Sequence, residues 1–342
     1  MKKSAYADAA ACAGAVIGAG FASGREITVF FARYGSHAIW LCMMSAVLMA
    51  ALMLLCMNVA GQKADDATKP SFLGQNSFCG IVSFLLLEIT AGAMISAAGH
   101  LVSLLWGNRL AYPSGALGTL TAAWVIGRRD LKILSWVSAI LTLMLLTALM
   151  VCLAQPVEPS LVLTEPADIP TLVKAAFWAA GYAGMNVTLA AGVACQCGNQ
   201  KGNGQTAFVF GLLMMVLLMV SSSVYTARPE WFDAEFPLVA MLMQKGRSGY
   251  LFSILILYLS VLTTLVSVVY SMRSAAEATN SSGLLRLLLV FVIPVLLSRF
   301  GFSGIVERFY APAGLLCLAI IFLPLWLRQR ETHKAFFLDN SR

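Results

Sequence analysis

Gly14-Ala15-Val16-Ile17-Gly18-Ala19-Gly20-Phe21-Ala22-Ser23-Gly24-Arg25-Glu26 falls inside the first long apolar run of the chain. The run is apolar enough to enter a bilayer as a helix, but four glycines interrupt it and a pair of opposite charges follows. Each glycine in a helix interior costs about 1 kcal/mol relative to alanine, so several together at mid-span predict an unwound stretch near Gly18-Ala19-Gly20. Unwinding frees backbone N–H and C=O groups, which must find partners in hydrocarbon. A bound cation can take the carbonyls, and an anionic group can take the N–H groups at the start of the outer half-helix. Close helix packing through small residues is the other reading of the same glycines.

Arg25 and Glu26 lie about ten residues before the outer end of this helix, roughly 15 Å along its axis. That is near the middle of a bilayer, where an ionisable side chain is costly and marks a functional site by default. Glu26 suits the first turn of the outer half-helix, whereas Arg25 is repelled by that end of the helix dipole and calls for a carboxylate. Glu88, in the middle of the third apolar segment, is the expected partner. The pair reads either as a static ion pair or as a gate that meets a charged substrate.

The rest of the chain supports a membrane setting. Of 342 residues 59% are hydrophobic and 11% charged, against about 25% charged in a soluble domain. Apolar segments long enough to cross a bilayer recur at about 5–34, 36–60, 76–106, 112–127, 131–154, 169–197, 205–227, 250–279, 284–299 and 303–327, with a short amphipathic helix at 236–245. This predicts an all-α polytopic protein, residues 1–342 forming one transmembrane domain of ten helices. Lys2 and Lys3 precede the first run as in a signal peptide, but the run continues past any cleavage point. The net charge of +7 comes from basic residues at segment ends, so it reads as topology and not as nucleic-acid binding. Fourteen of the 23 Lys and Arg residues, Lys63, Lys69, Arg128 and Arg129 among them, fall on one side, while the loop carrying Glu158, Glu165 and Asp168 has neither before Lys174. Both termini are therefore expected in the cytoplasm; Lys245 and Arg247 fall against the rule.

The spacing repeats. Segments 3, 4 and 5 reappear as segments 8, 9 and 10 at offsets of about 174, 172 and 172 residues, long and short spans in the same order. Five is odd, so the second unit (about 169–327) is inverted relative to the first (about 5–154), the arrangement of secondary transporters. Segment 6, with Trp178, Gly181, Tyr182, Gly184 and Asn186, occupies the place of segment 1 and is expected to be broken as well. In segment 8, Ser260, Thr263, Thr264 and Ser267 share one face; their hydroxyls suit a hard cation, or bond back to the preceding turn.

Six cysteines, including Cys12, Cys56 and Cys152, lie within apolar segments and read as small core residues. The Cys195-x-Cys197 pair has no second cluster to complete a metal site. No HExxH, paired-Asp or Ser–His arrangement is present, and His37, His100 and His333 lie near segment ends, so an enzyme is not expected, nor any cofactor besides Na⁺.

The string Gly18-Ala-Gly-Phe-Ala-Ser-Gly-Arg-Glu-Ile27, followed by Phe30-Phe31, resembles the signature of the YkvI family of bacterial membrane proteins. That family is placed in the amino acid–polyamine–organocation superfamily, whose members share the LeuT-type five-plus-five inverted repeat. The resemblance implies a bacterial inner-membrane transporter of an amino acid or related amine, symported with Na⁺ or H⁺. It implies a Na⁺ held by the carbonyls of Gly14 and Ile17 with Ser260, Thr263 and Thr264. The family's second sodium site needs an Asn where this chain has Phe21, so that site is not expected. Substrate is placed against Ala19, Gly20, Phe21 and Ser23 of segment 1 and Trp178, Gly181, Tyr182 and Gly184 of segment 6. Arg25, Glu26 and Glu88 are the gating or coupling residues, the two glutamates serving protons if Na⁺ does not serve. A sensor or scaffold that keeps the transporter fold, or a channel, is the alternative.

Overall fold

Helix α1, Ala5–Val16, takes in Gly14 and stops just before Gly18-Ala19-Gly20. The structure is a computed structural model that describes residues 5–62, 77–107, 110–127, 132–153, 168–198, 202–278 and 288–330. After α1 the chain makes a tight turn, with Gly18 N–H donating to the Val16 carbonyl at 2.8 Å. It resumes as α2, Ala19–Ser23, and breaks again at Gly24. Gly24 adopts φ +81°, and a Cβ there would lie 2.3 Å from the Tyr225 hydroxyl, so conformation and space both demand glycine. Helix α3, Arg25–Phe30, leads into a 3₁₀ turn, Ala32–His37. The break expected at Gly18-Ala19-Gly20 is present, centred on Ile17-Gly18, and the second interruption at Gly24 was not foreseen.

The remaining helices are α4 (Ala38–Gln62), α5 (Ser77–Trp106), α6 (Ala111–Ile126), α7 (Lys132–Leu153), α8 (Ile169–Cys197), α9 (Asn203–Thr226), α10 (Pro237–Met243) and α11 (Gly246–Ala278). Two helical segments follow, α12 (Leu288–Phe300) and α13 (Phe302–Arg330). They contain π-helical turns at Leu288–Val292, Val306–Tyr310 and Leu318–Phe322. Such turns recur at functional sites. Among the described residues, five helices are by themselves long and apolar enough to cross a membrane: Ala32–Val59, Phe78–Trp106, Asn203–Thr226, Gly246–Ala275 and Phe302–Arg330. Large apolar side chains point outward along them and their neighbours, Trp40, Phe78, Leu143, Phe177 and Phe208 among them, a surface that suits lipid and not water. The chain is a multi-pass membrane protein. Lys2, Lys3, Lys63, Lys69, Arg128, Arg129, Glu158, Glu165, Lys201, Arg286, His333, Lys334 and Arg342 lie outside the described residues.

Helix α4 packs on α8 and α9, α5 on α6, α11 and α12, and α8 on α13, while the short α2 rests against α11. Most of the eight cysteines are buried, as their apolar settings implied.

Segment 6 corrects an expectation. Helix α8 runs without interruption from Ile169 to Cys197. Gly181 and Gly184 are not at a break; they let α13 approach. A Cβ on Gly181 would lie 2.5 Å from the Ala311 carbonyl oxygen, one on Gly184 2.6 Å from that of Gly314, and one on Gly314 1.8 Å from that of Gly181. This is backbone-to-backbone packing through small residues. Ser45 ties the same helix to α4, its hydroxyl donating to the Ala179 carbonyl at 2.6 Å. Because the obstacle at Gly314 is main chain, Gly314→Val should lower unfolding stability by about 1–3 kcal/mol or more, the usual cost of overpacking. An unchanged melting temperature for the purified variant would refute this account of the α8–α13 contact.

Candidate functional site at the helix break

The break is held from one side by α11. Ala19 N–H, the first amide of α2, donates to Thr264 Oγ1 at 3.3 Å, and a Cβ on Gly18 would sit 3.2 Å from the same oxygen. Thr264 is thus brought to the break. Thr263 gives its hydroxyl proton to the Ser260 carbonyl at 3.0 Å, the local back-bond that is common in membrane helices, and keeps its lone pairs. Gly14 lies two residues before the end of α1 and Ile17 at the break itself.

Glu26 occupies the other side. Its carboxyl lies where a side chain of residue 20 would be: a Cβ on Gly20 would fall 1.7 Å from Glu26 Oε1. Gly20 therefore serves neither an unwound turn nor helix packing; it makes room for a carboxyl. Glu26 is 5% exposed. The Tyr182 hydroxyl lies beside it without a well-formed hydrogen bond among the described residues, and Tyr310 lies near enough to feel its charge. Tyr182 is packed by Phe30 and Phe31, with ring centroids 5.2 Å away in each case, and Trp178 meets Phe30 at 6.2 Å. The expected site residues Ala19, Gly20, Phe21, Ser23, Glu26 and Tyr182 are buried together, with Trp178 at the edge. Ser23 is spent locally, donating to the Gly20 carbonyl at 2.7 Å and accepting from the Arg25 amide at 3.0 Å. Gly181 and Gly184 face α13 instead, as described above.

Arg25 does find a carboxylate, but not Glu88. Its guanidinium pairs with Glu307, in the π-helical turn of α13, and donates to the carbonyls of Phe232 and, at 3.2 Å, Ala234. Arg33 extends the group, reaching Glu307 at 3.2 Å and Asp233 at 3.3 Å. The αL turn at Gly24 directs Arg25 away from α5 and toward the 232–236 loop, which overturns the expected Arg25–Glu88 pair. Glu88 is buried, and neither of its oxygens has a hydrogen-bond partner among the described residues. Sequence reasoning missed Glu307, although an acidic residue near the start of an apolar segment was a visible signal.

The same loop is pinned once more. Glu235 lies 3.1 Å from His100 Nδ1 of α5 and accepts from the Ser303 amide of α13 at 3.4 Å. Burial works against its charge, but the His100 contact, the Ser303 amide and nearby Arg25 outweigh burial and hold the carboxyl below its usual range. The carboxylate's own contribution to stability is therefore lost as pH falls through its lowered range.

No family model matches the chain. Over 327 residues, 90% of the chain and 91% of the relative, it is 23% identical to the uncharacterized membrane protein YkvI of Bacillus subtilis (strain 168), in line with the resemblance carried by the helix 1 string. Among solved structures, the chain shares its fold with the Eremococcus coleocola manganese transporter crystallised with an aromatic bis-isothiourea substituted compound. The TM-score is 0.56 with 15% identity, over 94% of this chain and 78% of the other.

Proposed function

We propose that this chain is a secondary transporter that moves a small solute by alternating access around the break in its first helix. The observation that carries the reading is a helix interrupted at Ile17-Gly18 with a buried carboxyl, Glu26, seated against the interruption. Such interrupted helices place binding groups at mid-membrane in transporters. The proposal includes the ten-helix inverted repeat of the LeuT type, membership of the amino acid–polyamine–organocation superfamily, both termini in the cytoplasm, and an amino acid or related amine as the solute. Helix α8 takes part through Tyr182 without being broken. The link of Arg25 to Glu307 and the 232–236 loop serves as the outer gate, and closes it in this conformation.

The fold neighbour carries manganese, but among the described residues no three His, Cys, Asp or Glu side chains gather as a metal site, so manganese is not carried over. For Na⁺, the hydroxyl oxygens of Thr263 and Thr264 on α11 and the carbonyls of Gly14 and Ile17 supply a hard-oxygen set. Melting of the purified protein, screened against amino acids and amines in NaCl or choline chloride, tests both parts. Stabilisation by Na⁺ that Thr264→Ala removes is the expected result; equal melting in the two salts would remove the sodium site. Saturable, gradient-driven uptake into proteoliposomes separates a transporter from a channel or a sensor with the same fold.

A further inference from the structure

We propose that Glu26 takes either a proton or the ammonium group of the substrate, but never both, so that the protein exchanges protons for a small amine lacking a carboxylate. This rests on the transporter reading and narrows it.

Among the described residues, the groups around the Glu26 carboxyl are few and uncharged. Gly20 lies under it; Tyr182 of α8 lies beside it and Tyr310 of α13 near it. Tyr225 of α9 lies over Gly24, and Thr264 of α11 beside Gly18. The neighbouring cation, Arg25, is turned to Glu307 and to the carbonyls of residues 232 and 234. A bare carboxylate in such surroundings has lost its water without gaining a counter-charge, which is expensive. It is relieved by a proton or by a cation, and the two compete for the same oxygens. Binding of R–NH₃⁺ to Glu26–COOH therefore forms Glu26–COO⁻···⁺H₃N–R and releases one H⁺. Two ligands that exclude each other on one site, each crossing with it, give exchange instead of co-transport.

The donors of the break point to an amine without a carboxylate. An amino acid would bring a carboxylate needing N–H or O–H groups there. The Ala19 amide is bonded to Thr264, the Ser23 hydroxyl to the Gly20 carbonyl, and the two terminal nitrogens of Arg25 to the gate; of the donors left over, the Tyr182 hydroxyl lies beside Glu26 itself and the Tyr225 hydroxyl over Gly24. The protein's own carboxyl already fills the anionic position. The aromatic rings beside Tyr182 suit an ammonium group with a short apolar tail.

The test uses the full-length protein in proteoliposomes with an acidic interior and a trapped pH dye. Ethylammonium, putrescine, tetramethylammonium, alanine and leucine are added outside in turn. The same probes are added to the detergent-solubilised protein in weak buffer, and released protons are counted. The expected result is saturable collapse of the gradient by ethylammonium or putrescine, with about one H⁺ released per bound amine. Glu26→Gln should abolish both signals, Glu26→Asp should weaken them several-fold, and Glu230→Gln, a change at an exposed carboxylate, should leave them intact. The melting temperature of each variant shows whether it is folded. Gradient-driven uptake of alanine or leucine that survives in Glu26→Gln would overturn the exchange while leaving the transporter reading in place. Glu26-dependent proton release without any flux would uphold the shared site and remove transport. Neither flux nor proton release with any probe would overturn both, and collapse by tetramethylammonium alone would overturn the ammonium N–H assignment.

Discussion

Glu307→Gln is expected to destabilise the folded protein by about 2–3 kcal/mol, near the lower end of the cost of breaking a buried ion pair. The side chain left behind, Arg25, is 5% exposed, whereas Glu307 is 33% exposed, so the uncompensated charge stays in the interior. Two carbonyl acceptors from the 232–236 loop remain to Arg25, which keeps the cost below the upper part of that range. A double-mutant cycle with Arg25→Gln should return a coupling of about 2 kcal/mol, as for contacting residues in one network. Asp233→Asn provides the internal comparison: Asp233 meets Arg33 but is 98% exposed, and no measurable loss is expected from a surface pair. If Arg25 and Glu307 form the outer gate, amides of the 232–236 loop should also exchange with D₂O faster in Glu307→Gln. A cycle giving no coupling would reduce the pair to a bystander.

The second large effect is expected at Gly20. A Cβ there falls 1.7 Å from Glu26 Oε1 and 2.3 Å from its Cδ, so Gly20→Ala must drive the carboxyl from its seat. The expected outcome is a loss of about 1–3 kcal/mol from overpacking together with loss of every signal that depends on Glu26. Two neighbouring glycines grade the result. Gly18→Ala brings its Cβ to 3.2 Å from Thr264 Oγ1, tight contact with a hydroxyl that can shift, and a smaller cost is expected. Gly14→Ala meets nothing within 4 Å and should gain up to about 1 kcal/mol from helix propensity. Melting temperatures of the three variants should fall in the order Gly14→Ala, Gly18→Ala, Gly20→Ala; equal values would refute the seating of Glu26 against Gly20.

Much of the architecture was legible in the sequence because the bilayer imposes it. Apolar runs of helical length marked α4, α5 and α9 to within a few residues, and the glycine cluster marked the interruption after Val16. These are local properties: hydropathy summed over a window, and the absence of a Cβ that would favour helix. The same local signal misled at Gly181 and Gly184. A glycine is required equally where a helix unwinds and where another backbone comes within contact, and only the position of α13 shows that α8 is of the second kind. The partner of Arg25 was likewise beyond the sequence. Charge complementarity called for a carboxylate, and Glu88, Glu235 and Glu307 all qualified by type; the choice was made by the αL turn at Gly24, which aims the guanidinium at α13 and the 232–236 loop. The sequence by itself determined that this chain crosses the membrane many times, that its first helix is broken, and that Arg25 and Glu26 stand at the break. The tertiary structure alone decided which groups meet them: Glu307 with Arg25, and Gly20, Tyr182 and Tyr310 with Glu26. Apart from that of Gly20 with Glu26, those encounters join residues far apart in the chain, and their geometry depends on how whole helices cross, which no local window contains.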